Sequence, residues 1–345
     1  KVYYDPMGSH GIEESCSRLL ADNDVVVSSQ FTTLYYHAVH NIFKNCPVFL
    51  FLYCNCTPLD LICRFMELSY EPSSSYCREG FYGFLTPTQE QALKEVQRYV
   101  VDQAIDLSDL ALNALIPQLT LLRYLRANKF DVEKTTTQVR RNVDWRIEHK
   151  VKELVNRSPE DILGCDMDEL VSVFPHWQCG FDASGRPVMY KQYSKAFQVD
   201  KLLKITTLDA IKMYHIWEQE ACCRLCYEQS IKTGFIVETV SAVVDIQGMG
   251  IMQVTRDFLA IVKSIAEIDQ EQYPETLGKT FIINTPSAFP FVWRGIRPWL
   301  DPVTATKINI FGVNDFDEAL EKEIGTHSLP LCYKGTRPAL SPDIH

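Results

Sequence analysis

Ser241-Ala242-Val243-Val244-Asp245-Ile246 and Thr280-Phe281-Ile282-Ile283-Asn284 are two short apolar runs rich in β-branched residues. Such runs are the signature of strands buried on both faces. Between them, from about Val254 to Ile268, apolar residues recur at helical spacing. The same alternation extends in both directions. Upstream lie a strand at Pro187 to Gln192, opened by the turn Asp182-Ala183-Ser184-Gly185-Arg186, and a long helix over about Leu208 to Ile231. Downstream lie an aromatic helix, Phe289 to Leu300, and a strand at Ile308-Asn309-Ile310-Phe311. Strands alternating with helices predict an α/β lobe with a mainly parallel sheet and right-handed crossovers.

A helical lobe is expected before it. Thr86-Pro87-Thr88-Gln89 is a capping box with Pro at the first helical position, and Leu93, Val96, Val100 and Ala104 follow at helical spacing. Leu119, Leu122 and Leu125 mark a second helix. Asp131 caps a third, with Val132, Val139, Val143 and Ile147 on one face. Ser158-Pro159-Glu160-Asp161 opens a short helix where the pattern changes. The expected division is therefore 1–82 without assigned structure and read as a disordered extension, 83–152 helical, 153–336 α/β, and 337–345 a tail.

Composition narrows the function. The chain has 345 residues and a formal charge of −10, which argues against gripping a nucleic-acid backbone. Bulk charge would not hold it on anionic membranes either. Yet Arg123 to Lys152 holds nine Lys or Arg against four Asp or Glu, a local excess that suits a solvated helical face and a membrane-facing one equally. The longest apolar run, Pro47 to Cys54, is far below the roughly 18 residues that span a bilayer. Lys1 and Asp5 do not read as a secretory signal, and a chain without an initiator Met is expected of a fragment, a processed product or an uncertain gene model. Six of the twelve cysteines precede residue 80, and reduced thiols in a cytosolic protein are expected.

Enzyme motifs fail on inspection. Gly248-Met249-Gly250 begins like a dinucleotide fingerprint, but Gln253 occupies the third glycine position. Cys223 and Cys226 lie mid-helix without a second thiol pair and read as buried structural thiols rather than a metal site. No nucleophile elbow, Walker lysine or His-Glu-x-x-His is present. No catalytic residue, metal or cofactor is expected.

Leu122-Arg123-Tyr124-Leu125-Arg126-Ala127-Asn128-Lys129-Phe130-Asp131-Val132 resembles the signature of the helical lobe of CRAL-TRIO proteins. Tyr273-Pro274-Glu275-Thr276-Leu277-Gly278-Lys279 and Arg297-Pro298-Trp299-Leu300-Asp301-Pro302-Val303-Thr304 follow in the family's order and spacing. Together the three blocks resemble the fungal secretory-pathway branch, whose members transfer phosphatidylinositol and phosphatidylcholine. The likeness runs from about Leu85 to Thr336, and residues 1–82 match nothing in the family and are expected to be dispensable for lipid binding. The resemblance implies a sheet flooring an apolar lipid pocket under a mobile gate helix. It also implies exchange of a phosphatidylinositol-type lipid with a transient membrane surface, a phosphoinositide kinase as partner, and a monomer. The location implied is cytoplasmic and peripheral to Golgi or endosomal membranes. A carrier of a sterol, tocopherol or retinoid, and a regulator presenting lipid to a kinase, stay open.

A pocket is physically required for such exchange, because an acyl chain costs about 0.8 kcal/mol per CH₂ to expose to water. Phe289, Phe291, Val292, Trp293, Ile296, Trp299 and Leu300, beside Arg294 and Arg297, suit either a core helix or a gate that meets the headgroup layer. By the resemblance, Lys129, Asp182, Glu275, Thr304 and Lys307 hold the inositol phosphate, cations and hydroxyl on the phosphate, carboxylates on the inositol hydroxyls. Two departures stand out. Asn128 replaces an Arg common in relatives and removes a permanent charge. Val240 and Ala242 stand where a Ser and a Thr meet choline phosphate in dual-ligand relatives, and Gln178 and Met189 where two Tyr do.

Overall fold

The computed structural model describes residues 69–70, 78–111, 117–193 and 197–337. The rest of the expected 1–82 extension and of the 337–345 tail lies outside the described residues.

The helical lobe starts where its capping box predicts. Thr86 Oγ1 accepts from Gln89 N and Gln89 Oε1 accepts from Thr86 N, at 3.3 and 3.0 Å, opening α1 (Pro87–Asp102). Then come α2 (Leu107–Leu110), α3 (Pro117–Ala127) and α4 (Val132–Glu148), the last capped by Asp131. Leu93, Val96 and Val100 of α1 pack against Leu122 and Leu125 of α3 and Val139 and Val143 of α4. Each fully buried side chain of this size contributes about 1.5–3 kcal/mol. Two expected members fall outside the core. Ala104 lies past the end of α1 with φ +48°, and Ile147 is 61% exposed.

Short helices α5 (Val151–Leu154), α6 (Pro159–Leu163) and α7 (Met167–Val173) lead to β1 (His176–Phe181) and β2 (Pro187–Gln192). The turn between these strands closes on Asp182, whose N–H donates to the Arg186 carbonyl, and on Gly185 at φ +79°, a conformation that favours glycine. Next are α8 (Val199–Ile205), α9 (Leu208–Thr233), β3 (Val240–Asp245), α10 (Arg256–Gln272) and β4 (Leu277–Ile283). The chain continues through α11 (Phe289–Ile296), a 3₁₀ turn at Arg297–Trp299, α12 (Pro302–Thr306), β5 (Ile308–Ile310) and α13 (Asp317–Ile324). The expected single helix over Phe289 to Leu300 is thus divided, because Pro298 withholds the N–H that would continue it.

The five strands lie in the order β1-β2-β3-β4-β5, with only β1–β2 antiparallel. Registers such as Tyr190↔Val243↔Phe281 place alternate residues on opposite faces. Val188, Tyr190, Val243, Phe281 and Ile283 pack against Leu320, Ile324 and Tyr333. Met189, Ala242, Val244 and Ile282 face the other way, toward α9, α10 and α11. That second face is not filled by side chains.

Buried polar contacts join the two lobes. Arg146 Nη1 of α4 meets Glu220 Oε1 of α9 at 2.6 Å, and Tyr273 Oη donates to the same carboxylate oxygen at 2.7 Å. Asn142 Nδ2 and Tyr124 Oη donate to the Gln272 carbonyl. Arg126 Nη2 reaches Glu238 Oε1 at 3.1 Å, with its guanidinium over the Phe81 ring. Tyr70, 4% exposed, donates to Glu238 Oε1 at 2.8 Å and packs with Leu119 and Ile236. A chain shortened to begin at Gly83 therefore also removes Tyr70, Phe81 and Tyr82 from the α/β lobe and α3.

Candidate functional site

The unfilled face of the sheet bounds a cavity of about 1170 Å³, above the roughly 300–1,000 Å³ of ordinary small-molecule sites. Met189, Val240, Ala242, Val244 and Ile282 form its floor, and Phe258, Val262 and Ile265 of α10 one wall. The alternation that aims Val240 and Ala242 inward aims Ser241 outward, where its Oγ donates to Asp182 Oδ2 at 2.6 Å. Gln178 is buried elsewhere, its Nε2 donating to the Gly180 carbonyl.

The opposite wall is α11 with its 3₁₀ extension. Phe289, Val292, Trp293, Ile296, Trp299 and Leu300 line the cavity at helical spacing, while Arg294, Arg297 and Phe291 (73% exposed) point away from it. No residue of α11 is fully buried. The segment is held at its ends: Thr285 N and Oγ1 donate to the Phe311 carbonyl, and Gln270 on α10 donates to the Trp299 carbonyl and accepts from Asp301 N. The gate that the resemblance implies would be this apolar wall, tethered mainly at its two ends, and lipid exchange would require that it swings outward. If it does, adding phospholipid vesicles to a variant that retains only Trp293 and Trp299 shifts their fluorescence. Identical spectra with and without vesicles would make the segment plain core.

Of the five headgroup candidates, the structure brings three together. Glu275, Thr304 and Lys307 all line one end of the cavity, with Lys307 Nζ 3.1 Å from Glu275 Oε2. Glu275 sits at φ +59° in the turn after α10, an uncommon conformation for a non-glycine residue and one that recurs at functional sites. Thr304 is placed by α12, which Asp301 caps. Asp182 is not part of this group. It lies in the β1–β2 turn, where Ser184 N, Arg186 N and Ser241 Oγ all donate to it. Burial lifts its carboxyl above the usual value, with Arg186 and Ser241 opposing that rise. Lys129 is exposed in the turn after α3 and does not line the cavity. Its neighbour Asn128 does, with Nδ2 donating to the Tyr124 carbonyl and to Gln138 Oε1.

Other polar lining groups escape sequence reading. Lys134 and Arg141 of α4 come to the cavity from within the basic stretch Arg123 to Lys152. Arg141 makes no ion pair among the described residues. On the cavity wall, Lys191 of β2, His215, Glu218 and Gln219 of α9 and Asp269 of α10 form one ionic network, with His215 and Glu218 buried and Asp269 38% exposed. Lys191 Nζ lies 3.2 Å from Glu218 Oε2, and His215 Nε2 lies 2.7 Å from Asp269 Oδ1. Burial would neutralise His215, but the Asp269 carboxylate outweighs it and lifts the imidazole to about 9. Burial would likewise raise Glu218, but Lys191 and then His215 hold it well below the usual carboxylate range. His215 and Glu218 are therefore both charged at neutral pH.

The loop after β3 carries the incomplete glycine fingerprint. Gly250 N, which a phosphate would need, already donates to Gln253 Oε1 at 2.7 Å. Among the described residues no cluster suits a metal ion, and no helix is long and apolar enough to cross a membrane.

The profile of the CRAL/TRIO domain matches residues 174–335, and that of the CRAL/TRIO N-terminal domain matches 92–140. A SEC14 cytosolic factor from Kluyveromyces lactis is 32% identical over 76% of this chain and 83% of its own length. The chain belongs to the CRAL-TRIO family. A CRAL-TRIO domain-containing protein of Saccharomyces cerevisiae is 28% identical over 76% of this chain and 83% of its own length. An Arabidopsis thaliana phosphatidylinositol/phosphatidylcholine transfer protein, SFH7, is 30% identical over 62% of this chain, which spans only 38% of that longer protein. The crystal structure of Sfh5 shares the fold, with a TM-score of 0.57 at 17% identity over 75% of this chain and 93% of that one. The cavity of this CRAL-TRIO chain thus sits in a fold whose named relatives include phosphatidylinositol/phosphatidylcholine transfer proteins.

Proposed function

We propose that this CRAL-TRIO chain takes up a phosphatidylinositol-type lipid and exchanges it with membranes, without covalent chemistry. The observation that carries the reading is the polarity of the cavity: an apolar interior under α11, and Glu275, Thr304 and Lys307 gathered at one end. Acyl chains leave water only if such an interior is large enough, and at about 0.8 kcal/mol per CH₂ two chains supply most of the binding free energy. The end group then decides which head is accepted. Lys307 and the Thr304 hydroxyl suit a phosphodiester, while Glu275 accepts from inositol hydroxyls. Lys307 already pairs with Glu275, so the bound phosphate shares that cation. Arg141, which also lines the cavity, supplies a second.

Replacing Thr304→Val together with Lys307→Met removes a hydroxyl and a cation from that end. Each lost bond to a charged group costs about 1.5–3 kcal/mol, so phosphatidylinositol loading from vesicles falls tenfold or more. Circular dichroism is expected to stay unchanged, since neither side chain is fully buried. Full loading in a folded double variant would refute the headgroup assignment.

A further inference from the structure

We propose that Lys191, His215, Glu218, Gln219 and Asp269 form a second polar subsite on the cavity wall, which receives a lipid with an uncharged hydroxyl head. The inference goes beyond the phosphatidylinositol reading and does not rest on it, since a different set of residues carries it.

The network is costly where it stands. Lys191, His215 and Glu218 have been drawn largely from water into the wall of an apolar cavity, and a buried ion pair is poor as a stabilising device against an apolar replacement. Its hydrogen bonds leave definite capacity on the cavity side. Asp269 Oδ1 accepts from His215 and from Gln219 Nε2 at 2.8 Å. Asp269 Oδ2 accepts from no described residue, and the side chain is 38% exposed, the most open of the four. Lys191 spends one N–H on Glu218 and keeps two. A ligand reaching this place meets a carboxylate acceptor and an ammonium donor together.

A hydroxyl satisfies both, donating to Asp269 and accepting from Lys191. A phosphodiester does not. Two cations face two anions here, so the subsite has no surplus positive charge. A phosphate would stand against Asp269 and Glu218 with only an already paired Lys191 to offset them. A quaternary ammonium head could approach Asp269, but it donates no hydrogen bond, and its own phosphate would be left among Met189, Val240 and Ala242. The subsite therefore selects a membrane alcohol, a diacylglycerol or a sterol.

The test uses the full chain and vesicles carrying traces of labelled lipid. Dioleoylglycerol is compared with its 3-O-methyl ether, and cholesterol with cholesteryl methyl ether, so the two sources of the hydroxyl are read separately. Loss of the donated bond to a charged acceptor is expected to weaken loading of the ether ten- to a hundredfold for the accepted alcohol. Asp269→Leu is expected to bring that alcohol down to the level of its ether. If Asp269→Leu fails to fold, Lys191→Met and Asp269→Asn each cut the preference at least threefold. Equal loading of alcohol and ether for both pairs, loading of neither alcohol, stronger loading of dioleoylphosphatidylcholine, or an undiminished preference in the folded variants would each overturn the proposal. Phosphatidylinositol loading is measured on the same wild-type protein, so its failure counts against the earlier reading alone.

Discussion

Vesicle transfer is expected to carry phosphatidylinositol and to leave phosphatidylcholine behind by a factor of about a hundred or more. The reason is a loss of hydroxyls from the cavity floor. At the places where dual-ligand relatives meet choline phosphate, this chain offers Val240, Ala242 and Met189, which line the cavity and donate no hydrogen bond. The nearby hydroxyls do not reach the cavity. Ser241 donates to Asp182, and Thr239, one residue before β3, does not line the cavity. Gln178 is likewise committed, to the Gly180 carbonyl. A phosphate oxygen buried against apolar groups without a partner costs several kcal/mol, and each 1.4 kcal/mol is tenfold in affinity. Comparable transfer rates for the two labelled lipids would contradict this account. Restoring Val240→Ser and Ala242→Thr together is expected to recover part of the phosphatidylcholine rate.

Glu220→Ala is expected to destabilise the protein by about 3–5 kcal/mol, the cost of stranding a buried charge. Glu220 is 4% exposed and Arg146 5%, and among the described residues no other carboxylate pairs with that guanidinium. The substitution also leaves Tyr273 Oη without its acceptor. Since α4, α9 and the end of α10 meet here, the loss loosens the docking of the helical lobe on the α/β lobe. Arg146→Met with Glu220→Leu removes both charges, and a good part of the stability should return, because an apolar pair of similar volume has no desolvation cost. Urea unfolding of the three proteins decides it. A cost below about 1 kcal/mol for Glu220→Ala would mean that water reaches the stranded arginine and that the contact is not a lock.

How much of this was legible depended on whether the signal was periodic or assembled. The strands β2, β3, β4 and β5 and the helices between them follow from local runs, because a strand buried on both faces must be apolar along its length. The capped starts of α1, α4 and α6 were legible for the same local reason. β1 was not, since His176, Gln178 and Gly180 break any apolar run. It holds its place by antiparallel pairing with β2 and by bonds such as His176 Nε2 to Tyr214 Oη. At the site, motif resemblance located Glu275, Thr304 and Lys307 but also offered Asp182 and Lys129. A motif gives a position in the chain, and only the fold shows that Asp182 is consumed by its own turn and by Ser241. The ionic network was hidden altogether. Lys191, His215, Glu218 and Asp269 come from three separate elements, and each alone reads as an ordinary surface charge. The available hint was spacing: His215, Glu218, Gln219 and Cys222 recur on one face of α9, and Lys191 shares the inward register of Met189.

The central claim is that the cavity holds a phosphatidylinositol-type lipid, and mass spectrometry of lipid recovered with the purified protein tests it most directly. The account predicts phosphatidylinositol enriched at least tenfold over its share of the host membranes, with phosphatidylcholine depleted. Protein recovered free of phosphatidylinositol, or carrying phosphatidylcholine in membrane proportion, would contradict it.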